Sequence, residues 1–438
     1  MSNRSGRLAA ALIPGAVFAA LAVVFALCLG TDSVLTVAVI TVLLVFFAAF
    51  GYFMLRSLRA VDTAARTAAF FIPLLVLLLA RVLVFNYETL DYQDFLAPWT
   101  EFFRANGGLR AIGAPIGNYN VPYLFFLAVC SYIPVSELYL IKLFSVFFEL
   151  VLAYALGRIT LHVSSSPVRA GLCFVLTLAL PTAFLNGSLW GQCDAVYASL
   201  ALLSVALGLE KKPVGALILA GIAFAFKLQA IFVLPVFALF LFTRRVKWYH
   251  LPLFPAAYLA AVSPAIIAGR GFWDTVLTYV SDASTIGTGL NYNSPSVFAY
   301  VTNVADPTLA GRIGTLISFV ICMALIIAVI ACRKRIGSQE LLLCAAILAV
   351  GVPLFLPHMH DRYFFMADAI VLAVAFCVPK LAISVPLVSF ASLLGYHAYL
   401  RMRYLLPMKW GFFALLIVLI LLIGELTVET CRRKNKKF

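Results

Sequence analysis

The chain has 438 residues, of which 64% are hydrophobic and 11% charged, against roughly 45–50% and 25% in ordinary globular domains. A soluble enzyme, a nucleic-acid-binding domain and a disordered scaffold are excluded as whole-chain readings. The formal charge of +14 points to no nucleic acid, because the basic residues punctuate apolar runs and form no patch. The composition is that of a polytopic membrane protein, whose spanning helices each need about 20 apolar residues.

The N-terminal MSNRSGRLAAALIPGAVFAALAVVF is basic and then apolar like a signal peptide. Its apolar run is too long, and no small-residue cleavage site closes it, so it reads as a retained first helix. From there the pattern predicts fourteen spans, at 8–30, 34–55, 68–86, 139–160, 169–187, 194–208, 213–227, 229–243, 250–268, 311–332, 339–356, 363–379, 381–398 and 408–427. With Arg4 and Arg7 cytoplasmic, alternation places 21 of the 32 basic residues inside, including Arg333, Lys334 and Arg335, Lys380, and the tail from Arg432 to Lys437, as the positive-inside rule requires. Both termini are then cytoplasmic.

The expected fold is an all-α helical bundle of about fourteen transmembrane helices. It divides into N-terminal spans (1–86), a first outer loop (87–138), middle spans (139–268), a second outer loop (269–310), C-terminal spans (311–427) and a basic cytoplasmic tail (428–438). Long ordered loops are usually functional, and both long loops face outward, so chemistry is expected on the extracytoplasmic side of a cell membrane. The nine cysteines are scattered and read as small hydrophobes, with neither disulfide nor zinc spacing.

Ionisable residues at membrane depth are costly and are functional candidates by default. The first group is LDYQDFLAPW, which carries Asp91 and Asp94 beside Tyr92 and Trp99. The plain alternative is a pair of solvated loop acids beside an interfacial anchor. FLAPWTEFFRANGGLRAI then has apolar residues at helical spacing opposite Glu101, Arg104 and Arg110, a short helix in the interface plane. Gly107 and Gly108 end it, and NYNVPYLFFLAVCSYIP supplies a second apolar segment too short to span. Together they would roof a cavity at the outer leaflet.

LNGSLWGQCDAVYAS brings Trp190, Gln192 and Asp194 to an outer corner, where a polar hairpin tip anchored by Trp190 is the bland reading. In AFAFKLQAIFVLP, Lys227 and Gln229 interrupt an apolar run, and Lys227 is flanked too deeply on both sides to be explained by snorkelling. LPHMHDRYFF carries His358, His360, Asp361 and Arg362. No third ligand accompanies the two histidines, so zinc is not expected. Imidazole and guanidinium together suit a phosphate, unless Asp361 and Arg362 merely pair with each other. An outer-face acid with several cationic anion-binders matches group transfer from a phosphate-linked donor to a hydroxyl. The acid takes the hydroxyl proton, and the cations hold the leaving phosphate. With no soluble nucleotide-binding domain, the donor should be a lipid.

In chain order, the acid in LDYQDFLAPW, a YNxPYL turn from Tyr119 to Leu124, LYLIKLFSVFFELVLA, P-x4-NGSLWGQCDA, FKLQAIFVLP, NYNSPSVFA with Asn293, and HMHDRYFF form a consistent series over about 86–368. This series resembles the GT-C superfamily of glycosyltransferases that use polyprenyl-phosphate sugars. The nearer likeness is to bacterial proteins related to the second mannosyltransferase of GPI-anchor assembly, and a more distant one is to the dolichyl-phosphate-glucose glucosyltransferases. The resemblance implies Asp91 as general base with Asp94 in reserve. It implies His360, Arg362, Lys227 and His358 at the donor phosphate, and Gln192, Asp194, Trp190, Tyr119 and Asn293 near the sugars. It implies inverting single displacement between a polyprenyl-phosphate-linked hexose, mannose or glucose, and a glycan or glycolipid acceptor, with membrane lipid as the other partner and no cofactor. The loop lacks a compact Asp-x-Asp, so no metal is expected. The N-glycan glucosyltransferases open with a glycine-acid-aromatic pattern that is absent here, and three spans precede the first loop, two more than the single one common in the superfamily.

A transporter or lipid flippase is the competing class, since many spans and buried charge suit it too. It would be favoured by an internal repeat, and none is evident. A polysaccharide ligase would need arginines and histidines in the second loop, which has Arg270 alone.

Overall fold

The computed structural model describes residues 2–31, 33–282 and 289–435. Residues 283–288 of the second loop, and Lys436 and Lys437 of the basic tail, lie outside them. Helix makes up 76% of the structure and the strands among the described residues are two dipeptides, so the all-α expectation holds. Among the described residues nine helices are long and apolar enough to cross a membrane, or ten if one bent pair is a single span.

The expected count of about fourteen spans is not confirmed by that measure, because several of the expected segments are short or broken. Asp194–Leu209, Pro213–Phe226 and Phe365–Cys377 are apolar helices of 16, 14 and 13 residues, short of the ~20 that a span needs. The segment 229–243 is not one helix. Lys227 takes an extended backbone (φ −158°, ψ 134°), and a 3-10 turn at Leu228–Phe232 precedes a separate helix, Val236–Phe242, which follows Pro235. The expected span 169–187 is bent by 46° between Pro167–Ala179 and Pro181–Trp190, because Pro181 donates no N–H and its ring collides with the preceding turn.

The chain forms two compact units. The first takes the described residues up to Leu161, with Ser165–Ser199 and Leu259–Val276; the second takes His162–Ser164, Leu200–Tyr258 and the described residues from Leu277 onward. In the first unit α1 (Ser2–Leu27), α2 (Val34–Ser57) and α3 (Ala64–Val82) pack on one another. Their starts are set by capping: Ser33 accepts from the Thr36 N–H and Thr63 from the Arg66 N–H. The first long loop then carries a π-helical turn, Tyr92–Leu96, that runs into α4 (Ala97–Ala105), and later α5 (Val121–Cys130). Trp99, Thr100 and Phe103 of α4 are buried while Glu101 and Arg104 are exposed, the amphipathic division expected. The central helix is α6 (Glu137–Ser164), whose apolar stretch is 78% buried, against 11% for α1. Helix α7 (Pro167–Ala179), capped by Ser166, packs on α3. A Cβ at Gly157 of α6 would come within 2.6 Å of Leu58, the close approach that small residues give membrane helices.

In the second unit Ser338–Phe355 is central, with 83% of its apolar stretch buried, against 17% for Pro307–Cys332. It packs on Pro307–Cys332, Phe365–Cys377 and Lys409–Asn435. A parallel ladder pairs β1 (Asn291–Tyr292) with β2 (Met359–His360), so the second long loop is stitched to the HMHDRYFF segment.

Candidate active site

The first unit brings four of the expected residues together. Asp91 lies at the start of the π-helical turn, with helical backbone angles (φ −58°, ψ −36°). Its partners come from a second π-helical stretch, Phe184–Trp190, that ends at Gly191 with φ 80°, a left-handed conformation that glycine takes without strain. The reversal is closed by the Gly191 N–H donating to the Gly187 carbonyl at 3.2 Å and the Gln192 N–H to the Asn186 carbonyl at 2.9 Å. The Trp190 indole N–H then donates to Asp91 Oδ2 at 2.9 Å, and the Gln192 amide donates to the same oxygen at 2.5 Å. Tyr119 donates its hydroxyl to Gln192 Oε1 at 3.1 Å, and its ring packs against Trp99 and Tyr123 at 5.5 and 5.0 Å. The Thr89 hydroxyl donates to the Trp190 carbonyl at 3.1 Å, tying the two segments again.

Asp194 is fully buried beside this corner and accepts from the Asn186 amide at 2.8 Å. Asp94 is exposed on the π-helical turn. Trp190 is 1% exposed and is a buried donor to the acid. Tyr92 is buried and donates to Glu137 Oε1 at 3.3 Å; burial first, then the charges of Glu137 and Glu88, hold its phenol above the ordinary range. Beyond Glu137 opens a cavity of about 770 Å³, lined among others by Thr31, Arg104, Tyr132 and Tyr139.

The second unit gathers the expected histidines and arginine around the ladder. The His360 ring stacks on Tyr292 at 4.7 Å and lies 5.1 Å from Tyr363. Arg362, 14% exposed, has a guanidinium nitrogen 3.5 Å from Asp361, so the pairing alternative raised by the sequence is present there. His358 has φ 59° and its Nδ1 lies 2.8 Å from the Gly289 carbonyl. A carbonyl only accepts, so Nδ1 carries the proton in that contact. Asn293 forms an isolated antiparallel bridge with His360 beside the ladder and accepts from the Tyr404 hydroxyl. Lys227 is 8% exposed at the helix break. Among the described residues no three His, Cys, Asp or Glu side chains cluster so as to hold a metal.

Sequence reasoning missed several polar groups. Arg81, Lys142, Ser145 and Glu149 are all buried next to the Asp91 corner, Tyr292 and Tyr363 pack against His360, and Tyr404 donates to Asn293. The spacing of Lys142, Ser145 and Glu149 within an otherwise apolar run was the available signal for the first set.

The profile of glycosyltransferase family 87, a family of GT-C type, matches residues 118–357. That stretch holds Tyr119, Trp190, Gln192, Asp194, Lys227 and Asn293, while Asp91, Asp94, His358, His360 and Arg362 flank it. No curated protein and no solved structure matches the chain significantly. The match spans more than half of the chain and favours no particular sugar, so the particular likeness to mannosyltransferases is not carried by it. With its apolar helices, this polytopic chain belongs to glycosyltransferase family 87.

Proposed function

We propose that this glycosyltransferase moves a hexose, mannose or glucose, from a polyprenyl-phosphate donor to a hydroxyl of a glycan or glycolipid acceptor, on the extracytoplasmic side of the cell membrane. The observation that carries the reading is the Asp91 carboxylate, fixed by the Trp190 indole and the Gln192 amide in the first long loop of a glycosyltransferase. A carboxylate oriented in advance by two donors is already aimed for proton transfer when an acceptor hydroxyl arrives.

In the proposed step the acceptor oxygen attacks C1 of the donor sugar and its proton passes to Asp91. The bond from C1 to the lipid phosphate oxygen breaks, and polyprenyl phosphate leaves with the electron pair. The anomeric centre inverts, so a β-linked donor gives an α-linked product. No protein nucleophile is needed, because the lipid phosphate is already a good leaving group. His360 and Arg362, with Lys227 and His358, are assigned to the donor phosphate; Gln192, Asp194, Trp190, Tyr119 and Asn293 to the sugars. Asp94 is the reserve base.

The test is transfer from synthetic β-linked polyprenyl-phosphate mannose and glucose to a panel of lipid-linked acceptors, using purified protein in detergent with Asp91→Asn as control. Transfer that dies with Asp91 supports the reading and names the hexose. Donor binding without transfer to any acceptor would shift the acceptor class, and absence of both would overturn the donor assignment. In the same assay, His360→Ala and Arg362→Ala are each expected to raise the donor KM about 10- to 100-fold, the equivalent of a lost charge-assisted contact. An unchanged KM with lost turnover would move both residues away from donor capture. EDTA is expected to leave the rate unchanged, and a loss restored by Mn²⁺ or Mg²⁺ would overturn the metal-free reading.

A further inference from the structure

Helix α6 is long and apolar enough to span the membrane, yet one of its faces is polar. Lys142, Ser145 and Glu149 follow one another at spacings of three and four, which puts them on the same side of the helix. Their exposures are 0%, 1% and 1%, so none reaches lipid headgroups or water. Such groups are expensive at membrane depth and call for a reason.

Each of the three grips a segment that carries the site. The Lys142 ammonium has three N–H donors, and it meets the carbonyls of Val84, Phe85 and Tyr87 at 2.9, 2.9 and 2.6 Å. Those carbonyls lie between the end of α3 and Asp91. The stem of the same lysine runs beneath Gly191, 4.0 Å from where a Cβ would stand. Ser145 donates its hydroxyl to the Gln192 carbonyl at 2.7 Å. Glu149 Oε2 accepts from Arg81 Nε at 2.6 Å, and Arg81 also donates to the Leu178 carbonyl at 2.8 Å, ahead of the second π-helical stretch. Glu149 Oε1 faces Gly187 so closely that a Cβ there would lie 2.2 Å away.

Resting on the reading of Asp91 as the base, we infer that Lys142, Ser145 and Glu149 form a bracket that fixes the approach of Asp91 to the Trp190–Gln192 corner, making them positioning residues for the proton transfer. One helix face holds the segment before Asp91 and the segment containing its two donors. The spacing of acid and donors is thereby set by a rigid α6 and not by the loop. A misplacement of about 1 Å at a reacting group costs on the order of 10²-fold in rate, so the bracket governs turnover without touching substrate.

The bracket is tested first without substrate, by hydrogen exchange of the full chain in detergent. Ser145→Ala, which removes a single hydroxyl, and Lys142→Met as a stronger second variant are expected to speed exchange within 84–92 and 184–192 and nowhere else, local opening being a direct report of lost ties. Unchanged exchange in both segments, or a rise spread over the whole chain, would overturn the proposal. In the transfer assay Ser145→Ala should lower kcat about 10- to 100-fold with the donor KM unchanged, Ser145→Thr should restore most of it, and Ser145→Ala added to Gln192→Ala should cost nothing further. An equal loss in both backgrounds would reduce Ser145 to a packing role and overturn the assignment. Wild-type turnover in Asp91→Asn would sink the base assignment instead, and the exchange measurement would still decide the bracket.

Discussion

Asp91→Asn is expected to lower kcat by roughly 10²–10⁴-fold, the span of effects for a lost general base, while the donor KM stays within about twofold, as for an interaction made only in the transition state. The substitution keeps the shape of the side chain. Its amide oxygen can still accept from the Trp190 indole and the Gln192 amide, the two donors that now meet Oδ2, so the corner keeps its geometry. What it lacks is an oxygen basic enough to take the acceptor proton. Asp94→Asn is the companion variant. Because Asp94 is exposed and removed from that corner, its loss should change kcat by less than about threefold if Asp91 is the base. A pair of variants with the opposite ranking would transfer the role to Asp94, and steady-state kinetics on the two proteins decides between them.

Arg81→Met is expected to destabilise the protein by about 3–5 kcal/mol, the usual cost of removing one partner of a buried ion pair. Arg81 and Glu149 are 0% and 1% exposed and 2.6 Å apart. The guanidinium also donates to the Leu77 and Leu178 carbonyls. Without it, Glu149 remains as a carboxylate in an apolar surrounding, with the Gly187 backbone against it. The double variant Arg81→Met/Glu149→Leu removes the stranded charge and is expected to recover a large share of the loss, as apolar replacements of buried pairs do. Thermal unfolding in detergent, followed by the loss of the monodisperse peak, reads both. A single variant as stable as wild type would mean that the pair contributes nothing to the fold.

The membrane class and most of the long helices were legible because a span must be apolar over a fixed length, and composition reports that directly. The number of spans was not, because apolar composition says little about where a backbone breaks. Lys227 and Pro235 flank a stretch that reads as continuous, yet the chain there is extended, then 3-10, then helical again. Asp91 stood out by its place just past the third apolar run. Its two donors also stood out, as a polar corner between spans, but nothing local says that residues about a hundred positions apart share one oxygen. The bracket was harder still. Each of Lys142 and Ser145 looks like an ordinary helix-end or neutral residue when read singly, and only the packing of α6 against both site segments shows what their common face does. On the second unit, the sequence singled out His360 and Arg362, whereas the ladder that stacks Tyr292 on His360 joins segments separated by two long helices.

Both stretches that meet at the site, Tyr92–Leu96 and Phe184–Trp190, are wound as π-helix. A π-turn holds an extra residue relative to an α-turn, and such bulges occur frequently at functional sites. Deleting a residue from the second would leave the apolar length and the loops as they are, but it would rotate the downstream residues by about 100° and carry the Trp190 indole off Asp91.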